Sequence, residues 1–149
     1  MSIWMFQANR RYKLTDEIPA HLRQPENPPE WWDVSQNWSY MEKGERAIFW
    51  QSDPEGGIYG LGELADKPYE CPEGDTGWRV DVKYHALLSE PLLRADLKEH
   101  PVLSSLLVIQ VQRGKTPTRV QPEQWEAIAE LIWGKAATAA RPPAATKQV

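Results

Sequence analysis

The chain has 149 residues, 26% of them charged, with a formal net charge of −4 and an isoelectric point near 5.4. That length is one domain with a core that needs no staples, and the acidic balance excludes a protein that coats DNA through bulk positive charge, though not one with a local basic rim. Cys71 is the only cysteine, which excludes an internal disulfide; with no signal-like N-terminus and no apolar run of membrane-spanning length, the expectation is a cytoplasmic monomer without a membrane partner. In chain order, Ile3 to Ala8 reads as a strand, apolar on both faces. Thr15 to Pro19 starts at best a short helical turn, because Pro19 and Pro25 limit it. Gln24 to Glu30 is a proline-rich loop, and Trp31 to Tyr40 is aromatic and polar without a clear period. Lys43-Gly44-Glu45 signals a turn, and Arg46 to Ser52 and Ile58 to Ala65 read as strands separated by the turn residues Asp53 to Gly57. Trp78 to Leu88 alternates: Trp78, Val80, Val82, Tyr84 and Ala86 face one way, Arg79, Asp81, Lys83 and His85 the other, which predicts a half-buried strand. Leu92 to Glu99 reads as a short helix before Pro101, and Leu106 to Gln112 as a final strand. Pro122 opens a helix whose apolar face carries Trp125, Ile128, Ala129 and Ile132. The segment Lys135 to Val149 is rich in Ala, Pro and Thr, and is expected to be a disordered tail after a domain at residues 1–134.

This order gives an α+β fold: a small curled sheet or barrel of about five to six strands with short peripheral helices and a C-terminal amphipathic helix. Gly60 and Gly62 inside a strand point to sharp bends or close backbone approach. The eight tryptophans are many for this length, and indole burial needs a partner for its N–H. They recur beside small polar residues: Trp4-Met5-Phe6-Gln7-Ala8-Asn9, Trp32-Asp33-Val34-Ser35, and Phe49-Trp50-Gln51-Ser52, followed by Gly57-Ile58-Tyr59-Gly60-Leu61-Gly62-Glu63. An aromatic beside Gln, Asn and Ser can stack on a flat ring and hydrogen-bond its edge.

In order and spacing these segments resemble the EVE domain family, a PUA-like group related to YTH and ASCH domains, over roughly Ser2 to Gly134. The resemblance implies a PUA-like β-barrel and recognition of a modified nucleobase, modified cytosine or similar, in DNA or RNA. The expected stacking walls are Trp32 and Trp50, each with core filling as the alternative; Trp4, Trp78 and Trp125 are expected in the core. Hydrogen-bonding candidates are Gln7, Asn9, Ser35, Gln51 and Ser52, with Tyr12 beside them; Asn9 is equally suited to capping a turn. Arg10, Arg11 and Lys13 after the first strand, with Arg113 and Lys115 after the last, are candidate rim contacts to phosphate, provided the two loops meet. The family's usual Gly-Thr-Asn-Phe segment is here Gly114-Lys115-Thr116-Pro117-Thr118, which lacks the aromatic and has one residue added.

Signals for catalysis are weak. His21, His85 and His100 are scattered without metal-ligand spacing, and His85 is expected to be exposed on its strand's polar face. Cys71 has acidic neighbours, which disfavour a thiolate. Glu63 and Asp66 form an unremarkable carboxylate pair, and Gly60-Leu61-Gly62-Glu63 lacks the residues of a phosphate loop. The expectation is a non-enzymatic binding module with no cofactor and no metal. A protein-interaction module using exposed tryptophans, and a small nucleoside-acting enzyme on the same barrel, are the alternatives.

Overall fold

The computed structural model describes residues 1–72, 74–111 and 114–134; the tail from Lys135 and the rim candidate Arg113 lie outside these residues. Among the described residues the strands are β1 (Ile3–Ala8), β2 (Glu30–Val34), β3 (Arg46–Gln51), β4 (Gly57–Leu64), β5 (Tyr69–Glu70), β6 (Trp78–Leu93) and β7 (Thr118–Val120). They make one curled mixed sheet in the order β2-β6-β4-β3-β1-β7, with β5 paired to β6. β1 and β3 run parallel, in the register Gln7 to Trp50; all other pairings are antiparallel. Both therefore end on the same side of the molecule, and the parallel pair needs the long crossover through residues 9–45.

The sheet buries both faces. Because side chains alternate along a strand, β1 sends Trp4, Phe6 and Ala8 into one core and Met5 into another, and β3 divides Ala47 and Phe49 from Ile48 and Trp50 in the same way. The first core also takes Trp32 and Val34 of β2, Val80, Val82 and Tyr84 of β6, and Leu14 and Ile18 of helix α1 (Leu14–Leu22). The second lies under α2 (Arg94–Leu97), α3 (Leu107–Gln110) and α4 (Pro122–Trp133). Helix α4 starts as its sequence predicts, with Pro122 at its first turn and a capping box between Gln121 and Gln124.

Several elements differ from expectation. Pro19 lies inside the nine-residue helix α1 rather than ending it; burial of Leu14 and Ile18 outweighs the backbone bond that proline cannot make. β6 continues to Leu93, leaving only Arg94–Leu97 helical where Leu92 to Glu99 was expected. Over its described residues, Leu106 to Val111, the expected final strand is not formed: Leu107–Gln110 is a helical turn that buries Val108 and Ile109, and Gln112 lies outside the described residues. The last strand is Thr118–Val120, which pairs with β1. Close backbone approach at the two β4 glycines is real: a Cβ at Gly60 would collide with Ile18 Cδ1, and one at Gly62 with the Lys83 carbonyl.

Candidate functional site

The common end of β1 and β3 gathers four chain segments. Ser52 N donates to Ala8 O at 2.8 Å, which joins the two strand ends. Gln7 N donates to Thr116 Oγ1 at 3.2 Å. Thr116 is clasped to the end of β2: Ser35 N donates to Thr116 O at 2.8 Å, Ser35 Oγ donates to the same carbonyl at 3.1 Å, and Thr116 N donates back to Ser35 Oγ at 2.9 Å. Gln36 Nε2 adds bonds to Lys115 O and Pro117 O, and Asn37 Nδ2 bonds Pro117 O at 3.0 Å. This seam draws the β2 edge toward the segment preceding β7 and places Lys115 on the same end as Arg10 and Arg11. All three side chains are exposed, as is Lys13, whose carbonyl accepts the first bonds of α1 from Asp16 N and Glu17 N. Arg119, in contrast, points back along β1, donating to Ser2 Oγ at 2.7 Å and lying 4.6 Å from the Trp4 ring centroid.

Beside this end an open cleft of about 610 Å³ is lined by Trp50 and Ser52 of the β3 end, the Asp53–Gly56 loop, Leu93, Arg94, Ala95 and Lys98, and Val108. Gln7 stands next to Trp50 in register and on the same sheet face. Its Nε2 is buried without a hydrogen-bond partner among the described residues. The Ser52 hydroxyl also makes no bond within the described residues.

The structure does not bring Trp32 and Trp50 together as two walls. They belong to cores on opposite faces of the sheet. Trp32 is 9% exposed and ringed by Phe6, Tyr12 and Phe49 at centroid distances of 5.3–5.7 Å, so neither face is open for stacking. Trp50 lines the cleft but is only 2% exposed, so it too has no open face for stacking. Two of the amide and hydroxyl candidates are already committed. Gln51 accepts from Leu14 N at 2.9 Å and donates to Asn9 O at 2.9 Å, tying the β1–α1 connection together. Ser35 makes the clasp described above. Asn9 takes the turn role: its Oδ1 accepts from Arg11 N at 2.9 Å. Tyr12 donates to Glu30 Oε2 at 2.7 Å and meets Tyr84 Oη at 2.8 Å.

That last contact belongs to a polar chain through the first core. Trp32 Nε1 donates to Tyr84 Oη at 3.0 Å, Tyr84 bonds Tyr12, and Tyr12 donates to Glu30. Glu30 also meets His21 Nε2 at 2.6 Å, and the other ring nitrogen faces Pro28 O at 3.1 Å. Burial holds both tyrosine hydroxyls well above their ordinary ionisation range, Tyr12 further through its bond to Tyr84. The chain satisfies polar groups of α1, β2 and β6 and fixes the helix on the sheet. His85 is half-buried, not exposed: its Nε2 lies 2.9 Å from Glu63 Oε1. Burial lowers its pKa, and the Glu63 carboxylate offsets only part of that shift. No group of three or more metal-ligating His, Cys, Asp or Glu side chains occurs among the described residues.

Comparison with known proteins fits this architecture. The EVE domain model matches residues 2–131. The chain belongs to the EVE domain family. A solved protein from Agrobacterium tumefaciens is similar at a TM-score of 0.73 and 18% identity, over 97% of this chain and 98% of that one. Human THYN1, solved in complex with DNA containing 5-methylcytosine, is similar at a TM-score of 0.69 and 20% identity, over 88% of this chain and 97% of that one. A protein from Rhodopseudomonas palustris gives 0.71 and 20%, over 88% and 92%. No curated protein matches the chain.

In this EVE domain the altered Gly114–Thr118 segment supplies backbone carbonyls and the Thr116 hydroxyl to the seam, so its place in the fold does not depend on the missing aromatic. Thr116, Arg94 and Lys98 are the site residues the sequence did not single out. Thr116 carried no signal, since its partner Ser35 is 81 positions away. Arg94 and Lys98 have helical i, i+4 spacing, but the expected helix from Leu92 gave no reason to point it at a cleft.

Proposed function

We propose that this EVE domain is a binding module, without catalysis of its own, that reads a modified nucleobase of DNA or RNA at the cleft beside the β1 and β3 ends. Modified cytosine is the base class we favour. The observation carrying this reading is that the Ser52 hydroxyl, without a hydrogen-bond partner among the described residues, lines an open cleft together with Arg94 and Lys98. A free hydroxyl with cations beside it suits the polar edge of a base and its phosphate. Family membership supports the reading, as does the 5-methylcytosine-containing DNA bound by the human relative. Exposed Arg10, Arg11 and Lys115 supply a modest electrostatic rim, suited to a few phosphates rather than to coating a duplex. The test is a titration panel of DNA and RNA oligonucleotides, each with and without a modified cytosine. Indistinguishable affinities across every pair would rule out modified-base reading.

A second reading is favoured by a different surface. Trp31 and Trp38 are 49% and 39% exposed, Trp38 stacks on Trp78 at 5.6 Å, and the Arg79 guanidinium lies 3.8 Å from the Trp31 ring centroid. Exposed tryptophans, one of them under a guanidinium, suit a protein partner. Trp31→Ser with Trp38→Ser separates the readings: oligonucleotide binding is retained if the cleft is the site and these tryptophans serve another partner.

A further inference from the structure

We infer that Arg94 and Lys98 form a phosphate-binding wall of the cleft, taking the phosphate that accompanies the base bound beside Trp50 and Ser52. The inference rests on the base-reading role proposed above and adds the anion subsite to it.

Both residues come from the turn that ends β6. Arg94 N donates to Gly56 O at 2.8 Å, which pins the start of α2 to the loop on the other side of the cleft. A Cβ on Gly56 would lie 3.5 Å from Arg94 Cδ, at van der Waals contact, so the arginine stem runs alongside this loop. Lys98 follows four positions later, with its N–H bonded to Arg94 O at 3.0 Å. Helical spacing puts the two side chains on one side, and both line the cleft. Neither takes part in an ion pair among the described residues. The Arg94 Nε–H is buried and has no acceptor among the described residues. A buried charged donor without a partner is unfavourable, and a ligand oxygen at that point removes the penalty.

The rest of the cleft narrows the ligand class. Asp53 and Glu55 line it as well, both exposed and neither paired with Arg94 or Lys98. The site is thus dipolar, with two cations on α2 and two carboxylates on the loop. A guanidinium fork and an ammonium suit phosphate oxygens, with arginine able to bind two at once. Carboxylates suit an exocyclic amine such as that of cytosine. A base bearing an amine and a single phosphate satisfies both sides, whereas a polyphosphate would meet the carboxylates. Arg10, Arg11 and Lys115 have exposed side chains and do not line this cleft.

The same phosphate chemistry comes from a polynucleotide or from a free nucleotide, so the experiment has two arms. The full chain and its Arg94→Gln/Lys98→Gln variant are titrated with a labelled 5-methylcytosine oligonucleotide and its unmethylated counterpart at several salt concentrations, and separately with 5-methyl-dCMP and its nucleoside. A thermal melt confirms that the variant is folded, and Lys43→Gln/Lys67→Gln, two exposed lysines that do not line the cleft, serves as a comparison for general charge loss. For a polynucleotide, the double variant binds at least about 10-fold more weakly, and its salt slope falls by about 1.4–1.8 because two contacts of about 0.7–0.9 each are lost. For a free nucleotide, the parent prefers 5-methyl-dCMP to the nucleoside and the variant does not. A parent that discriminates methylated from unmethylated strands, paired with a variant unchanged in affinity and slope, would overturn the phosphate wall and leave base reading intact. A parent that binds neither oligonucleotide nor nucleotide would overturn both.

Discussion

Replacing Trp32 by alanine is a test of stability before it is a test of binding. The indole is 9% exposed, is bounded by Phe6, Tyr12 and Phe49, and donates its N–H to Tyr84 at 3.0 Å. Truncating a core aromatic typically costs about 3–5 kcal/mol. Each kcal/mol shifts the melting temperature of a domain near this size by about 2–4 °C, so Trp32→Ala should lower Tm by roughly 6–20 °C. Trp32→Phe keeps most of the packing but leaves Tyr84 without its indole donor, a loss of about 1 kcal/mol. Thermal melts of both variants, with Trp125→Ala as a second core tryptophan under α4, check the ordering. Trp125 is 3% exposed and has the Arg46 guanidinium 4.2 Å from its ring centroid. If Trp32→Ala melts within about 2 °C of the parent, the ring does not carry the first core, and an open stacking wall at Trp32 returns as the better account.

Gln51→Ala should remove the clamp between Leu14 N and Asn9 O and destabilise the fold by about 1–3 kcal/mol, since buried backbone groups lose their partner; hydrogen exchange should show the loss first at the start of α1, and unchanged exchange at Leu14 would refute the clamp. His85 should make stability depend on pH. Its pKa in the fold lies below the ordinary value of about 6.5, so in the range just beneath that value the unfolded chain binds more protons than the folded one. Stability therefore rises with pH through that range and is lost as pH falls. His85→Gln should flatten the dependence in denaturant titrations between about pH 5 and 7; an unchanged slope would assign it to other groups.

The strands β1, β3, β4 and most of β6 are legible because turn residues bound them and, in β6, because alternation persists from Trp78 to Leu88. β2 is not, since its alternation of exposed Trp31 and Asp33 with buried Trp32 and Val34 is too short to stand out from the surrounding aromatics. The apolar run at Leu106–Ile109 fits strand and helix equally, and only packing under the sheet decides for the helix. The sequence put Gln7, Asn9, Ser52 and the basic residues Arg10, Arg11 and Lys115 at strand ends and in the loops that follow them, and the structure gathers these segments at one end of the molecule. It could not assign faces. The sheet buries both faces at its centre, so an indole of one core such as Trp32 and one that reaches a cleft from the other, such as Trp50, look alike in one dimension. The chemistry of Gln51 and Ser35 was equally ambiguous, because an amide or hydroxyl that suits a base edge also suits a backbone clasp, and here both make clasps.

The central claim is that a modified base is read at the cleft between the β3 end and α2. Its most direct test is the ratio of affinities for a 5-methylcytosine oligonucleotide and the identical unmethylated strand, measured for the parent and for Ser52→Tyr, which removes the free hydroxyl from its place and puts a phenol ring into the cleft. The account predicts tighter binding of the methylated strand by the parent, and loss of that preference in a folded Ser52→Tyr variant. A ratio near one in the parent, or a preference that survives the substitution, would contradict it.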